Sequence, residues 1–346
     1  MSYLAVKENT PLMETEPTNI RVKEKTPFHE IAPYKGGEQA KASFIVVKVT
    51  HFPESIDQMA KVMKENGVKT LVLENSPASL IDVVQGKKTA QEHVREYVLK
   101  ETNGAVDLER NPGVLLLPRL DSYKHRAEIL EKLGKEIPGL EVVILDPYYD
   151  KEAVGLRGET YDDRMKLQRS ITENIEDRRK YAIANKDFEG AVVHIQYGAK
   201  ELARQLAMTD GLRAAAIAKE IRSDKVAVEE GEEHDVQKHL KERMKENPVS
   251  VTFANRSIID KVFKESENFR HPLLELAQQY ITKGETIDKN TADLLAARAC
   301  AAMVMFEREM QRLLTEGRKL TAEKDYQIIK AANELSFDDC KKICIA

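Results

Sequence analysis

The stretch from Ser43 to Asn75, SFIVVKVTHFPESIDQMAKVMKENGVKTLVLEN, most constrains what this chain can fold into. Phe44 to Val49 is an apolar run interrupted by one lysine. Pro53 then opens a helical pattern with Met59, Val62 and Met63 on its apolar stripe, and Gly67 closes it. A second apolar run, Thr70 to Leu73, ends at Glu74. Short apolar runs bounded by turn signals are buried strands, so the stretch is one βαβ unit. His51 and Glu74 fall just past the C-terminal ends of their strands. In open parallel sheets that edge receives ligands.

Further along, Val114 to Leu117 and Glu141 to Leu145 repeat the short apolar run, with a helical pattern over Tyr123 to Leu133 between them. Ala191 to Ile195 is a fifth strand candidate, and Val249 to Phe253 a sixth. Alternating strands and helices predict an α/β fold: an open, mostly parallel sheet with helices on both faces, plus a helical C-terminal region. Four segments are expected. Residues 1–40, broken by four prolines, form an irregular arm. Residues 41–208 form the α/β core. Residues 209–256, with the acidic run Glu229-Glu230-Gly231-Glu232-Glu233, form a charged excursion that returns to the core. Residues 257–346 are helical, with apolar clusters at Leu273–Ala277 and Leu294–Phe306.

A net charge of −4 over 346 residues gives no basic surface for nucleic acid over the whole molecule. Cys300, Cys340 and Cys344 are an odd set with no CxxC and too few neighbouring ligands for zinc, so free thiols in a reducing, cytoplasmic compartment are expected. No apolar stretch is long enough to cross a bilayer. Phosphate-loop and dinucleotide signatures, GxSxG and HExxH are all missing. The chemistry therefore rests on placement. His51, Glu74, Arg119, Asp146, and the pair His194 and Tyr197 each end one of the first five of the six expected strands. Neighbouring strands lie about 4.8 Å apart, so side chains from two or three ends can converge. Imidazoles and carboxylates together suit a first-row metal or a general base with an orienting carboxylate. Polar residues also end strands as a matter of course, without any function.

The Ser43–Asn75 stretch resembles the opening of the TraB/EreA/ChaN-like group: a strand, a Gly-x-x-His motif, a helix, and a second strand ending in Glu. Lys48-Val-Thr-His51 keeps the histidine with lysine in place of glycine, and Glu74 matches the glutamate. The group then shows an arginine-bearing helix, a strand and a second Gly-x-x-His. Glu173 to Leu206 resembles this, with Arg178 as the helix arginine and His194-Ile-Gln-Tyr197 at the motif, glycine and histidine both replaced. The resemblance covers residues 43–208 and implies a site made of His51, Glu74, Arg178 and Tyr197. Members include esterase-like, peptidase-like and haem-handling proteins.

Three functions follow as expectations. One is a ligand- or partner-binding protein with a degenerate active site, such as a bacterial effector or regulator. A second is a cytoplasmic hydrolase, esterase- or peptidase-like, with or without a metal ion, with His51 as base or ligand, Glu74 orienting it or sharing the metal, Arg178 stabilising negative charge and Tyr197 donating a proton or acting as a weak ligand. A third is haem or metal handling. The residues do not name a cofactor, and a small molecule or a protein is the expected partner.

Overall fold

The computed structural model describes residues 42–346 except 51, 75, 78, 102–103, 105, 107, 109–117, 146–158, 222, 246 and 265–268. The expected arm, the expected strand at Val114–Leu117 and most of the loop after Leu145 lie outside the described residues. Five parallel strands form one sheet: β1 (Ser43–Val49), β2 (Thr70–Leu73), β3 (Glu141–Ile144), β4 (Lys225–Gly231) and β5 (Val249–Phe253), in the order β3-β2-β4-β1-β5. The α/β class with a parallel sheet is as expected.

The βαβ unit forms as read, with α1 (Pro53–Asn66) between its strands. Pro53 suits the first helical turn, where its missing N–H costs nothing. Gly67 ends the helix at φ 61°, a left-handed conformation that glycine adopts without a Cβ clash. The two strands of this unit are not neighbours, however. β4 inserts between them, pairing Val46 with Val228 on one side and Val72 with Val228 on the other.

Period-two alternation sorts the strand residues onto two faces. Val47, Val49, Leu71, Leu73 and Ala227 pack under α1 and under α2 (Leu80–Val84), α3 (Ala90–Glu101) and α4 (Pro118–Glu136). Gly134 on α4 lies so close to α2 that a Cβ there would meet the Val84 carbonyl oxygen at 2.2 Å. On the other face Phe44, Val46, Val226 and Val228 pack against Ala214 and Ile217 of α7 (Phe188–Glu220) and against α8 (Val236–Arg243). Helices thus cover both faces.

α5 (Glu159–Thr172), a π-helical turn (Glu173–Arg178) and α6 (Arg179–Ala184) lead into α7. After β5 come α9 (Arg256–Phe263), α10 (Pro272–Lys283), α11 (Lys289–Thr315), α12 (Ala322–Asn333) and α13 (Phe337–Ile345), the expected helical C-terminal region. The first half of α7 packs with α10, α11 and α13 in a second apolar cluster, and its last turns pack on the sheet. With 33 residues, α7 is about 50 Å long.

Two expectations need correction. Ala191–Ile195 is not a strand but part of α7. Asp187 caps the helix, its Oδ1 accepting from Gly190 N at 2.8 Å, and Ala191, Ile195 and Ala199 repeat at helical spacing on the buried side. Residues 209–256 hold no exposed acidic excursion at 229–230: these two glutamates belong to β4, and both are 0% exposed. Among the described residues no helix is long and apolar enough to cross a membrane.

Candidate functional site

The C-terminal edge of the sheet holds a buried network of charges. β4 supplies its core, because alternation sends Glu229 to the α4 face and Glu230 to the α7–α8 face. Burying a carboxylate requires a partner, and each has one. Arg126 of α4 binds Glu229, and also donates through Nη1 to Ser76 Oγ at 2.9 Å and to the Glu74 carbonyl at 3.1 Å. Lys48 of β1, in register with Glu230, donates to Glu230 Oε1 at 2.8 Å and to the His234 carbonyl oxygen. Glu230 also accepts from Val236 N at 2.9 Å, which anchors the start of α8.

Glu74 sits just beyond β2. Its Oε1 lies 2.9 Å from His234 Nε2 and 3.2 Å from Arg213 Nη1 of α7, and its Oε2 accepts from Gly231 N. The other face of the histidine is also held: Nδ1 lies 2.5 Å from Asp210 Oδ1. Asp210 in turn accepts from Asp235 N at 2.7 Å, and Arg213 Nη2 donates to the Glu229 carbonyl at 2.6 Å. One helical turn thus presents Asp210 and Arg213, three positions apart on α7, to the same edge.

Burial alone would raise Glu74, but the charges of His234 and Arg213 and the hydrogen bonds from His234 and Gly231 outweigh it, and the carboxyl sits well below its usual range. Burial alone would lower His234, but Glu74 and Asp210 outweigh it, and the imidazole sits well above its ordinary value. His234 is therefore an imidazolium at neutral pH, donating from both nitrogens to carboxylates. In this arrangement it can give a proton but not take one. Burial raises Glu229 and Glu230 against the pull of Arg126 and Lys48.

The loop from Gly231 to His234 is pinned from the helical region. The Tyr326 hydroxyl of α12 donates to Glu232 Oε1. Burial pushes the Glu232 carboxyl from 4.5 up to about 7, with Glu233 and Asp325 pushing the same way and Tyr326 and Lys48 opposing. A folded pKa above the unfolded one gives stability that is full below the unfolded pKa and lost as pH rises through the folded pKa. For Glu232 that window runs from 4.5 to about 7, and Asp325, raised by burial to about 7, has the same sign. Relative to wild type, Glu232→Gln should flatten the fall of melting temperature between about pH 5 and 7. Parallel curves for the two proteins across that range would contradict the assignment.

Of the residues expected at the site, Glu74 is in the network. His51 lies outside the described residues; Val49, two positions before it, pairs with Gly231. Arg178 and Tyr197 are not brought to the strand ends, because the segment between them and the sheet is helix. Arg178 lies in the π-helical turn and binds Glu173 through Nε at 2.9 Å, half exposed. Tyr197 is 60% exposed on α7; it is thirteen residues before Asp210, about 20 Å along the helix axis. His194 is on the same helix, with Nδ1 3.3 Å from Asn174 Oδ1, and Arg119 is in the first turn of α4. Asp146 lies outside the described residues.

Sequence reasoning missed Asp210, Arg213, Arg126 and above all His234. The signal for His234 was present: Val226-Ala-Val228 is an apolar run followed by Gly231-Glu-Glu-His234, a literal Gly-x-x-His. Reading the glutamates as solvated hid it. Among the described residues no group of three His, Cys, Asp or Glu side chains is placed to hold a metal ion. Comparison of the chain with family models, curated proteins and solved structures gives no match.

Proposed function

We propose that the chain is a hydrolase of the TraB/EreA/ChaN-like kind, with its working centre at Glu74 and His234. The observation that carries this reading is the Glu74–His234 contact of 2.9 Å at the ends of β2 and β4. The order of parts supports it as well. A strand ending in Glu74 is followed by an arginine-bearing helix, α7 with Arg213, then by β4 and Gly231-x-x-His234. That is the order the resemblance calls for, with the second glycine and histidine both present. In this reading His234 donates a proton to the leaving group, and Glu74 takes one from the attacking water once substrate displaces its present partners. Arg213 balances negative charge that builds up in the transition state. A cytoplasmic setting is part of the proposal and rests on the unpaired thiols.

The test is a screen of aryl esters and fluorogenic peptides, with and without added divalent cations. Turnover that is lost in Glu74→Gln and kept in Tyr197→Phe supports the proposal. Turnover that survives Glu74→Gln, or none on any substrate, overturns it.

A ligand- or partner-binding use without turnover is the second reading, and Lys48 favours it. The lysine stands where the group has glycine, and its ammonium is lodged between Glu230 and the His234 carbonyl oxygen. Saturable binding of the screened compounds without product would select this reading.

A further inference from the structure

The helical region has a pocket of its own, about 440 Å³ in volume, lined by α10, α11 and the end of α12. That is the size of a small-molecule site. Glu275 and Gln279 line it from one face of α10, four positions apart. Leu294, Leu295 and Arg298 line it from α11, and Asn333 from α12. Both leucines are half-buried, so part of their apolar surface is open to the pocket.

The two charged side chains are each held in place. Gln279 Nε2 donates to Glu275 Oε1 at 2.8 Å. The amide cannot turn over without setting its oxygen against the carboxylate, so Gln279 Oε1 is left buried with no hydrogen-bond partner. The glutamine thus holds the carboxylate although an unmet buried acceptor is costly. On α11, Arg298 Nε donates to the Leu335 carbonyl at 2.9 Å, which fixes the guanidinium and leaves its two Nη groups. Among the described residues, neither Glu275 nor Arg298 has an ion-pair partner, and the two do not pair with each other although they line the same pocket.

We propose that this pocket binds a free amino acid with an apolar side chain, its carboxylate on the Nη edge of Arg298, its ammonium on Glu275 and its side chain on Leu294 and Leu295. The paired Nη groups of a guanidinium match a carboxylate with two parallel hydrogen bonds. A phosphate or other plain anion would meet Arg298 but would also face Glu275. A plain cation has the reverse difficulty. A neutral apolar molecule would cover both charges and pair neither. A zwitterion pairs both at once. The site is separate from the Glu74–His234 contact and does not depend on turnover there.

The full chain is titrated calorimetrically with L-leucine, L-methionine and L-phenylalanine, then with N-acetylleucine, which has no ammonium, and leucinamide, which has no carboxylate. At least one of the three amino acids should bind saturably, leucine among them, and each leucine derivative should bind at least about tenfold more weakly than leucine, the loss expected for one charge-assisted contact. Arg298→Met should weaken leucine by a similar factor. Glu275→Gln should do the same and should also remove the preference for leucine over N-acetylleucine, which a merely structural role for Glu275 would leave intact. If Arg298→Met does not fold, Glu275→Gln and the two derivatives decide. No saturable binding of leucine, equal binding of leucine and its derivatives, or an unchanged preference in Glu275→Gln overturns the proposal.

Discussion

Arg126→Met is expected to lower the free energy of unfolding by about 3–5 kcal/mol, the usual result of removing one partner from a buried ion pair. Glu229 is 0% exposed and has the Arg126 guanidinium as its charge partner on the α4 face. Removing that partner also strips donors from Ser76 Oγ and from the Glu74 carbonyl. Methionine fills much of the volume, so the loss is electrostatic rather than a cavity effect. The acid would respond by taking up a proton, because burial already raises its pKa. The double variant Arg126→Met/Glu229→Gln should therefore recover a good part of the loss. Urea unfolding of the single and double variants measures both. A single-variant loss below about 1 kcal/mol would mean that the pair behaves as a solvated surface bridge.

The second large effect concerns turnover. In a substrate found by the screen, His234→Asn should reduce kcat/KM by about 10²–10⁴, the range for losing a positioned general acid. Asparagine keeps a donor towards Asp210 or Glu74 but has no proton to give up. Tyr197→Phe should stay within about twofold, since its ring is 60% exposed on the far half of α7. If His234→Asn retains activity within about threefold, the histidine holds the turn together but does not act on substrate.

Where local signals and burial agree, the sequence could be read directly. Pro53 and Gly67 bound α1, and Val249–Phe253 and Glu141–Ile144 are strands because apolar runs are flanked by turn residues. Ala191–Ile195 misled because a short apolar run has no period of its own. The cap at Asp187 and the continuing pattern through Ala199 decide for helix. β4 was hidden for a different reason. Glu229 and Glu230 look solvated in isolation, and the cations that allow their burial come from distant stretches, Lys48 in β1 and Arg126 in α4. Glu74 was found because it follows a plain apolar strand. Its partners Asp210, Arg213 and His234 were not, since no local pattern announces that α7 ends over the sheet.

The position of β4 has a consequence for how the protein is made. Thr70 pairs with Val226 and Phe44 also pairs with Val226, so neither of the first two strands has its inner neighbour until that late segment has emerged from the ribosome. Until then Phe44–Val49 and Thr70–Leu73 are hydrophobic strands with open inner edges, the kind that nascent chains use to stick to one another. The strand that closes this gap carries two carboxylates, which discourage it from pairing in any register that does not offer Lys48 and Arg126. The glutamates of β4 thus act as a proofreading mark on the last central strand to arrive, admitting it only in the alignment that puts Glu74 and His234 side by side.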